Sequence, residues 1–235
     1  MGANVLSPLY LQPGFYGDAL AKGRHRAIIG GRWDETGIIQ MNLLQREGLR
    51  PKHRLLDIGC GPLRTGCRLV HFLNPQHYWG TDLSRDLMLR GYREELTESG
   101  RARLPREQLV KDGDFAFPGV PDIFDYLFCF ALFTHFPLDF LERGLAGITR
   151  HFRCFDKLLF TIFLAPEDGF SRPCRQNDGV VTHPDRPPWH FREADIHDAA
   201  AMAGLKVMRR DIRLPRGQVL FGAQGPGRQG NLPGP

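Results

Sequence analysis

Nothing in this chain is long and apolar enough to cross a bilayer. Its longest hydrophobic run is residues 126–133, YLFCFALF, against the roughly 20 residues a spanning helix needs. Pairs of the C-x-x-C type are missing. The five cysteines, Cys60, Cys67, Cys129, Cys154 and Cys174, are an odd number at irregular spacing. That predicts free thiols in a reducing compartment, neither a disulfide framework nor a zinc site. The first ten residues, MGANVLSPLY, have no basic segment followed by an apolar core, and Leu6 stands where myristoylation needs serine or threonine. The expectation is a cytoplasmic protein without a secretory signal or membrane association. No internal repeat is visible.

A large excess of charge of one sign is also missing. A net +5 permits anionic partners without demanding them. The basic clusters at 23–26, 50–54 and 209–210 are scattered and read as solvated faces. None alternates with aromatics as a groove tracking a nucleic-acid strand does, which argues against nucleic acid as a partner.

What the chain does have suits a soluble domain: 235 residues, 42% hydrophobic and 24% charged, enough for a sheet with helices on both faces. Residues 1–33 carry no clear periodicity. Asp34 reads as the N-cap of an amphipathic helix bearing Ile38, Ile39, Met41, Leu43 and Leu44, ended by Gly48. Strands are predicted at 54–58, 77–82, 108–111, 126–131 and 157–164. Between them Ser84 caps a helix that stops at Gly100, and Pro137 opens another running to His151. A polar stretch, 165–188, is too long for an ordinary connection and reads as a functional loop. A helix at 192–203 and two strands, 205–212 and 218–223, separated by a short turn, close the pattern.

Residues 55–66, LLDIGCGPLRTG, are the most informative. An apolar strand ends near Asp57 and breaks at Gly59 and Gly61 before a helix begins. Such a strand, tight turn and helix start is where open α/β sheets bind nucleotide-like ligands. The dinucleotide fingerprint G-x-G-x-x-G needs glycine at 64, where this chain has Arg64. With Asp57 in front, the segment resembles motif I of class I S-adenosylmethionine-dependent methyltransferases, of the bacterial small-molecule type.

That resemblance, over residues 20–223, implies a Rossmann-like fold: a mostly parallel seven-stranded sheet with a C-terminal antiparallel hairpin and helices on both faces. It implies a cap and helix at 1–50, a cofactor-binding domain at 51–223 with an acceptor loop at 165–190, and an unstructured tail at 224–235. The cofactor would lie against Asp57, Gly59, Cys60 and Gly61. Asp82, at the end of strand two, would accept from both ribose hydroxyls, or it simply caps the Ser84 helix. Leu83 would pack on adenine. Of the two acids in KDGDF, Asp114 with Phe115 matches the adenine-contacting position better than Asp112. Both also suit turn residues. Arg64 opposes the helix dipole; it either reaches the cofactor carboxylate or extends into solvent. Arg26 and Trp33 would line the pocket, unless Trp33 packs on the domain's flank. Phe130 stands where many relatives carry a polar residue, which leaves backbone carbonyls to meet the methionine part. The Asn/Asp-Pro-Pro-aromatic motif of nucleic-acid amino-methyltransferases is absent there.

Methyl transfer to a hydroxyl needs a base. His135 and His190 are the candidates, each with the alternative of a packed or capping histidine; His183 and Glu167 are weaker. The clustered ligands of metal-dependent O-methyltransferases are missing, Asp125 and Asp156 falling at the wrong strand ends, so no metal is predicted. The expected activity is methyl transfer from S-adenosylmethionine to O or N of a small-molecule acceptor. Cofactor binding without catalysis, an RNA methyltransferase and an NAD-dependent oxidoreductase are the alternatives. The acceptor and the oligomeric state are not legible.

Overall fold

The computed structural model describes residues 14–225, so the readings of the first ten residues and of nearly all the 224–235 tail lie outside the described residues. The chain starts with a short helix, α1 (Phe15–Ala21), followed by α2 (Trp33–Arg46) and strand β1 (Leu55–Ile58). Then come α3 (Gly66–Phe72), β2 (Tyr78–Asp82), α4 (Arg85–Glu94), α5 (Glu98–Arg103) and β3 (Leu109–Lys111). After these follow β4 (Tyr126–Cys129), α6 (Leu138–His151) and β5 (Lys157–Ile162). A two-stranded ribbon, β6 (Cys174–Arg175) and β7 (Val181–Thr182), precedes α7 (Glu193–Met202), β8 (Val207–Arg210) and β9 (Val219–Ala223).

One seven-stranded sheet runs in the order β3-β2-β1-β4-β5-β9-β8. Pairing is parallel from β3 through β5, and β9 is antiparallel to both of its neighbours. This is the expected Rossmann-like architecture with its closing hairpin. The central strands are buried on both faces, which is why they read as continuous apolar runs. Alternation sorts their side chains. Leu55, Tyr126 and Phe128 join α2, α3 and α4 on one side. Leu56, Ile58 and Leu127 join α6 and α7 on the other, where most of the phenylalanines form the core.

Several boundaries differ from the sequence expectation. The N-cap of α2 is Arg32, in a left-handed conformation and without a side-chain cap. Asp34 sits inside the first turn and pairs with Arg68 at 2.6 Å. The buried stripe of α2 is Trp33, Thr36, Gly37, Gln40, Leu43 and Leu44, which leaves Ile38 51% exposed. The helix begun at Ser84 ends at Glu94, and Gly100 lies within α5, where its N–H donates to the capping Thr97 hydroxyl at 3.1 Å. Strand β4 stops at Cys129, since the chain turns at Ala131 with φ +55°. The 165–188 stretch holds the β6–β7 ribbon, and residues before 33, which show no periodicity, hold α1.

Candidate active site

At the carboxyl edge of the sheet the connections from β1 and β4 leave in opposite directions, which opens a crevice. The turn after β1 begins with Gly59 at φ +78°, where an added Cβ would lie 3.1 Å from Leu132. A side chain there would collide with the post-β4 segment and stand between main chain and ligand. Gly59 and Cys60 donate their N–H groups to Thr81 O at 2.8 and 3.0 Å, stitching the turn to β2.

The cavity's empty space, counting its open mouth, is about 1070 Å³. Asp57, Gly59, Cys60, Gly61, Arg64, Asp82, Leu83, Phe115 and Phe130 line it, as does His135. Sequence positions as far apart as 57 and 135 therefore converge on one space.

Asp82 is buried at the end of β2. One carboxylate oxygen accepts from Gly61 N and the other from Ser84 N, both at 2.9 Å. The capping alternative is thus partly realised, yet the same carboxylate faces the cavity with lone pairs to spare. Burial pushes it up to about 6, opposed by those two amides. Asp57, also buried, accepts from the Tyr78 hydroxyl at 3.0 Å. Burial lifts it to about 7 against that hydrogen bond. The Cys60 thiol is driven well above its ordinary range by burial, which makes it inert as a nucleophile.

Arg64 lies just before α3 and is half-buried, so it does not simply extend into solvent. Its Nη1 donates to Ile29 O at 3.2 Å and Gly31 O at 3.4 Å. Its Nε is buried with no hydrogen-bond partner. Burial lowers the guanidinium to about 10, with Arg216 adding repulsion. An unpaired buried donor of this kind is costly unless something arrives to accept from it.

The acid of KDGDF that lines the cavity is Asp112, the second choice on sequence; Asp114 is exposed. Asp112 accepts from the amides of Asp114, Ala116 and Phe117 at 3.2, 3.3 and 3.0 Å. This ties off a tight loop in which Phe115 takes φ +60° and turns inward while Asp114 faces water.

His135 ends a 3₁₀ turn after β4 (Phe133–His135). Burial, helped by the charge of Arg216, pushes its imidazole down to about 4. His190 is elsewhere: buried, outside the cavity lining, with Nδ1 2.9 Å from Thr182 Oγ1 and Nε2 2.9 Å from Phe170 O. Both nitrogens are engaged within the 165–190 segment, away from the cavity lining. None of residues 165–190, the expected acceptor loop, lines this cavity. Arg26 and Trp33 also stay outside; Arg26 stacks over Trp33 at 4.9 Å and pairs with Glu95.

The sequence reading missed Tyr16, Ile29, Gln40 and Thr65, all of which line the cavity. Gln40 is the one amide in the buried stripe of α2, a stripe that the sequence reading placed partly on other residues. The Thr65 hydroxyl bonds to its side-chain oxygen. Tyr16 and Ile29 had no signal, because the cap carries no periodicity. Among the described residues no group of three or more His, Cys, Asp or Glu is placed to hold a metal ion, and no helix is long and apolar enough to cross a membrane.

No protein-family model matches the chain. Solved structures do. Magnesium protoporphyrin IX methyltransferase from Synechocystis, with bound S-adenosylhomocysteine, superposes with a TM-score of 0.62 at 16% identity, over 89% of this chain and 96% of that one. A TehB-like S-adenosylmethionine-dependent methyltransferase from Corynebacterium glutamicum gives 0.57 at 16%, over 91% and 100%. The glycopeptide N-methyltransferase MtfA gives 0.59 at 14%, over 81% and 90%. At such identities the likeness is one of fold.

Proposed function

We propose that this chain, built on the fold of S-adenosylmethionine-dependent methyltransferases, moves a methyl group from that donor to an oxygen or nitrogen of a small-molecule acceptor. The observation that carries the reading is the cavity itself. It joins a bare glycine turn, a buried strand-end carboxylate with free lone pairs, and the half-buried guanidinium of Arg64. These are the groups needed to meet a nucleoside sugar on one side and an aminoacyl carboxylate on the other. The antiparallel β9, inserted between β5 and β8, separates this sheet from the 3-2-1-4-5-6 order of dinucleotide folds, and Arg64 at the third-glycine position adds to that. An NAD-dependent reading is set aside on both grounds.

In this reading Asp82 holds the ribose hydroxyls, Leu83 and Phe115 flank the adenine with Asp112 beside it, and Arg64 takes the carboxylate. The donor supplies an electrophilic methyl on a sulfonium. The protein's part is to hold the acceptor in line and to exclude water, with Phe130, Leu132 and Phe136 as apolar wall. In this reading His135, which lines the cavity, takes the proton. It is neutral throughout the physiological range but a weak base, which suits acceptors that lose their proton readily.

Two expected outcomes follow. His135→Ala leaves S-adenosylhomocysteine affinity unchanged in calorimetry and slows turnover by on the order of 10²-fold or more where the acceptor needs a base. Full activity across a panel of hydroxyl and amine compounds removes it from the chemistry. Absence of transfer by the wild type across that panel, with S-adenosylhomocysteine still binding, favours the competing reading of a non-catalytic cofactor-binding protein. The low pKa of His135 is what speaks for that alternative.

Affinity also depends on pH. Asp82 in the free protein holds its proton up to about pH 6, whereas ribose hydroxyls donate to the carboxylate form. Binding therefore releases a proton and tightens as pH rises from 5 to 7. Calorimetry in buffers of different ionisation enthalpy checks this; proton uptake on binding contradicts it. The same raised values make the folded protein hold protons that the unfolded chain has lost. The contribution of Asp57 and Asp82 to stability accordingly declines between about pH 4 and 7.

A further inference from the structure

The segment from α1 to Arg32 is attached in an unusual way. No residue of α1 is buried, yet Tyr16 and Ile29 form part of the cavity wall. Polar contacts hold this cap. Glu95 of α4 accepts from Arg26 through Nε at 2.7 Å and Nη2 at 2.6 Å and lies 2.6 Å from His25 Nε2. Arg90 donates to Leu20 O at 2.8 Å. Three consecutive carbonyls are then gripped by two guanidiniums from distant parts of the chain. Arg64 holds those of Ile29 and Gly31, and Arg216, from the β8–β9 turn, holds that of Gly30 at 2.6 Å. Packing area is what normally fixes an element, and polar contacts at a partly wet surface are individually weak. A segment held in this way opens at lower cost than the packed sheet.

Resting on the methyltransferase reading, we infer that residues 15–31 are a lid over the cofactor, and that Arg64 couples its closure to the aminoacyl carboxylate of the ligand. One guanidinium serves both sides. Its Nη1 is on the lid carbonyls, and its Nε is buried without a partner. A carboxylate arriving there orients the guanidinium and cancels the repulsion that Arg216 exerts on it. The grip on Ile29 and Gly31 then tightens. Because such coupling is reciprocal, a closed lid in turn raises affinity for ligands that carry the carboxylate. A nucleoside thioether lacking the amino-acid part fills the adenine and ribose positions and leaves the lid as it was.

Hydrogen exchange on the full chain tests this with two probes at saturation, S-adenosylhomocysteine and 5′-methylthioadenosine. The expected result is about tenfold slower exchange of the 15–31 amides with the first and little change with the second. In Arg64→Gln the two probes become equivalent. Glu95→Gln, outside the cavity, loosens residues 23–31 in the free protein while S-adenosylhomocysteine still slows them. Equal protection by both bound probes, or none by either, overturns the lid. Calorimetry showing no binding of either overturns the cofactor reading instead, and the lid with it.

Discussion

Asp82→Ala is expected to weaken S-adenosylhomocysteine binding by on the order of 1–3 kcal/mol, a factor of about ten to a hundred, through loss of the ribose hydrogen bonds. The carboxylate also ties the glycine turn to β2, accepting from Gly61 N and Ser84 N at 2.9 Å. Alanine therefore leaves two amides without a partner at the floor of the cavity as well as removing the ligand contact. Asp82→Asn separates these effects. Its carbonyl oxygen retains one acceptor for the turn, so stability falls less, while the negative charge that ribose hydroxyls favour is gone. The pH dependence of binding between 5 and 7 should flatten in both variants, because the titrating group has been removed. An affinity equal to wild type in a folded Asp82→Ala protein sinks the assignment of this residue.

Gly91→Ala is expected to be among the most destabilising single-methyl changes available in the chain. Helix α4 packs its Gly91 directly onto the turn after β1, and an added Cβ would lie 2.1 Å from Pro62 O and 2.4 Å from Pro62 C. That neighbour is backbone, so no rotamer change relieves the clash; helix and turn must move apart. Overpacking of this kind costs roughly 1–3 kcal/mol and sometimes more, which for a chain of this size lowers the melting temperature by several degrees. The strain is delivered to the segment that carries Gly59, Gly61 and Arg64. Cofactor affinity should therefore drop together with stability, although Gly91 lines no part of the cavity. A variant with wild-type denaturant midpoint shows that the helix can yield at no cost, which contradicts the contact.

Much of this architecture was readable because its signals are local. Strands β1, β4 and β5 announce themselves as apolar runs, since burial on both faces demands apolar residues at every position. Asp57 and Thr161 are buried exceptions, each hydrogen-bonded: Asp57 accepts from Tyr78 of the neighbouring strand, and the Thr161 hydroxyl accepts from Ala131 N and donates to Gln218. The glycine turn is legible for a steric reason: backbone at φ +78° against Leu132 admits little else. Ser84 was legible as a cap, its hydroxyl accepting from Leu87 N at 3.2 Å.

Other assignments depended on how loops close. Asp112 and Asp114 are two residues apart and chemically identical. Three amide donors converging on Asp112 settle which of them stays at the cavity, and no local pattern encodes that convergence. The partners of His190, Thr182 and Phe170, likewise come from the way the loop folds back on itself. Within residues 165–188 the part around Asp178 docks on the β8–β9 turn, Asp178 accepting from Arg216 N at 3.0 Å, a contact that no local pattern announces.

Strand periodicity, the permissive turn and the acid ending β2 are properties of neighbouring residues, and one linear reading suffices to find them. Arg64 shows the opposite case. Its sequence position says only that a cation replaces a glycine. That it grips Ile29 and Gly31, some thirty residues upstream, while one nitrogen stays unpaired, follows from long-range closure of the cap over the sheet. Contacts of such separation are chosen by the packing of the whole domain and not by any stretch of it.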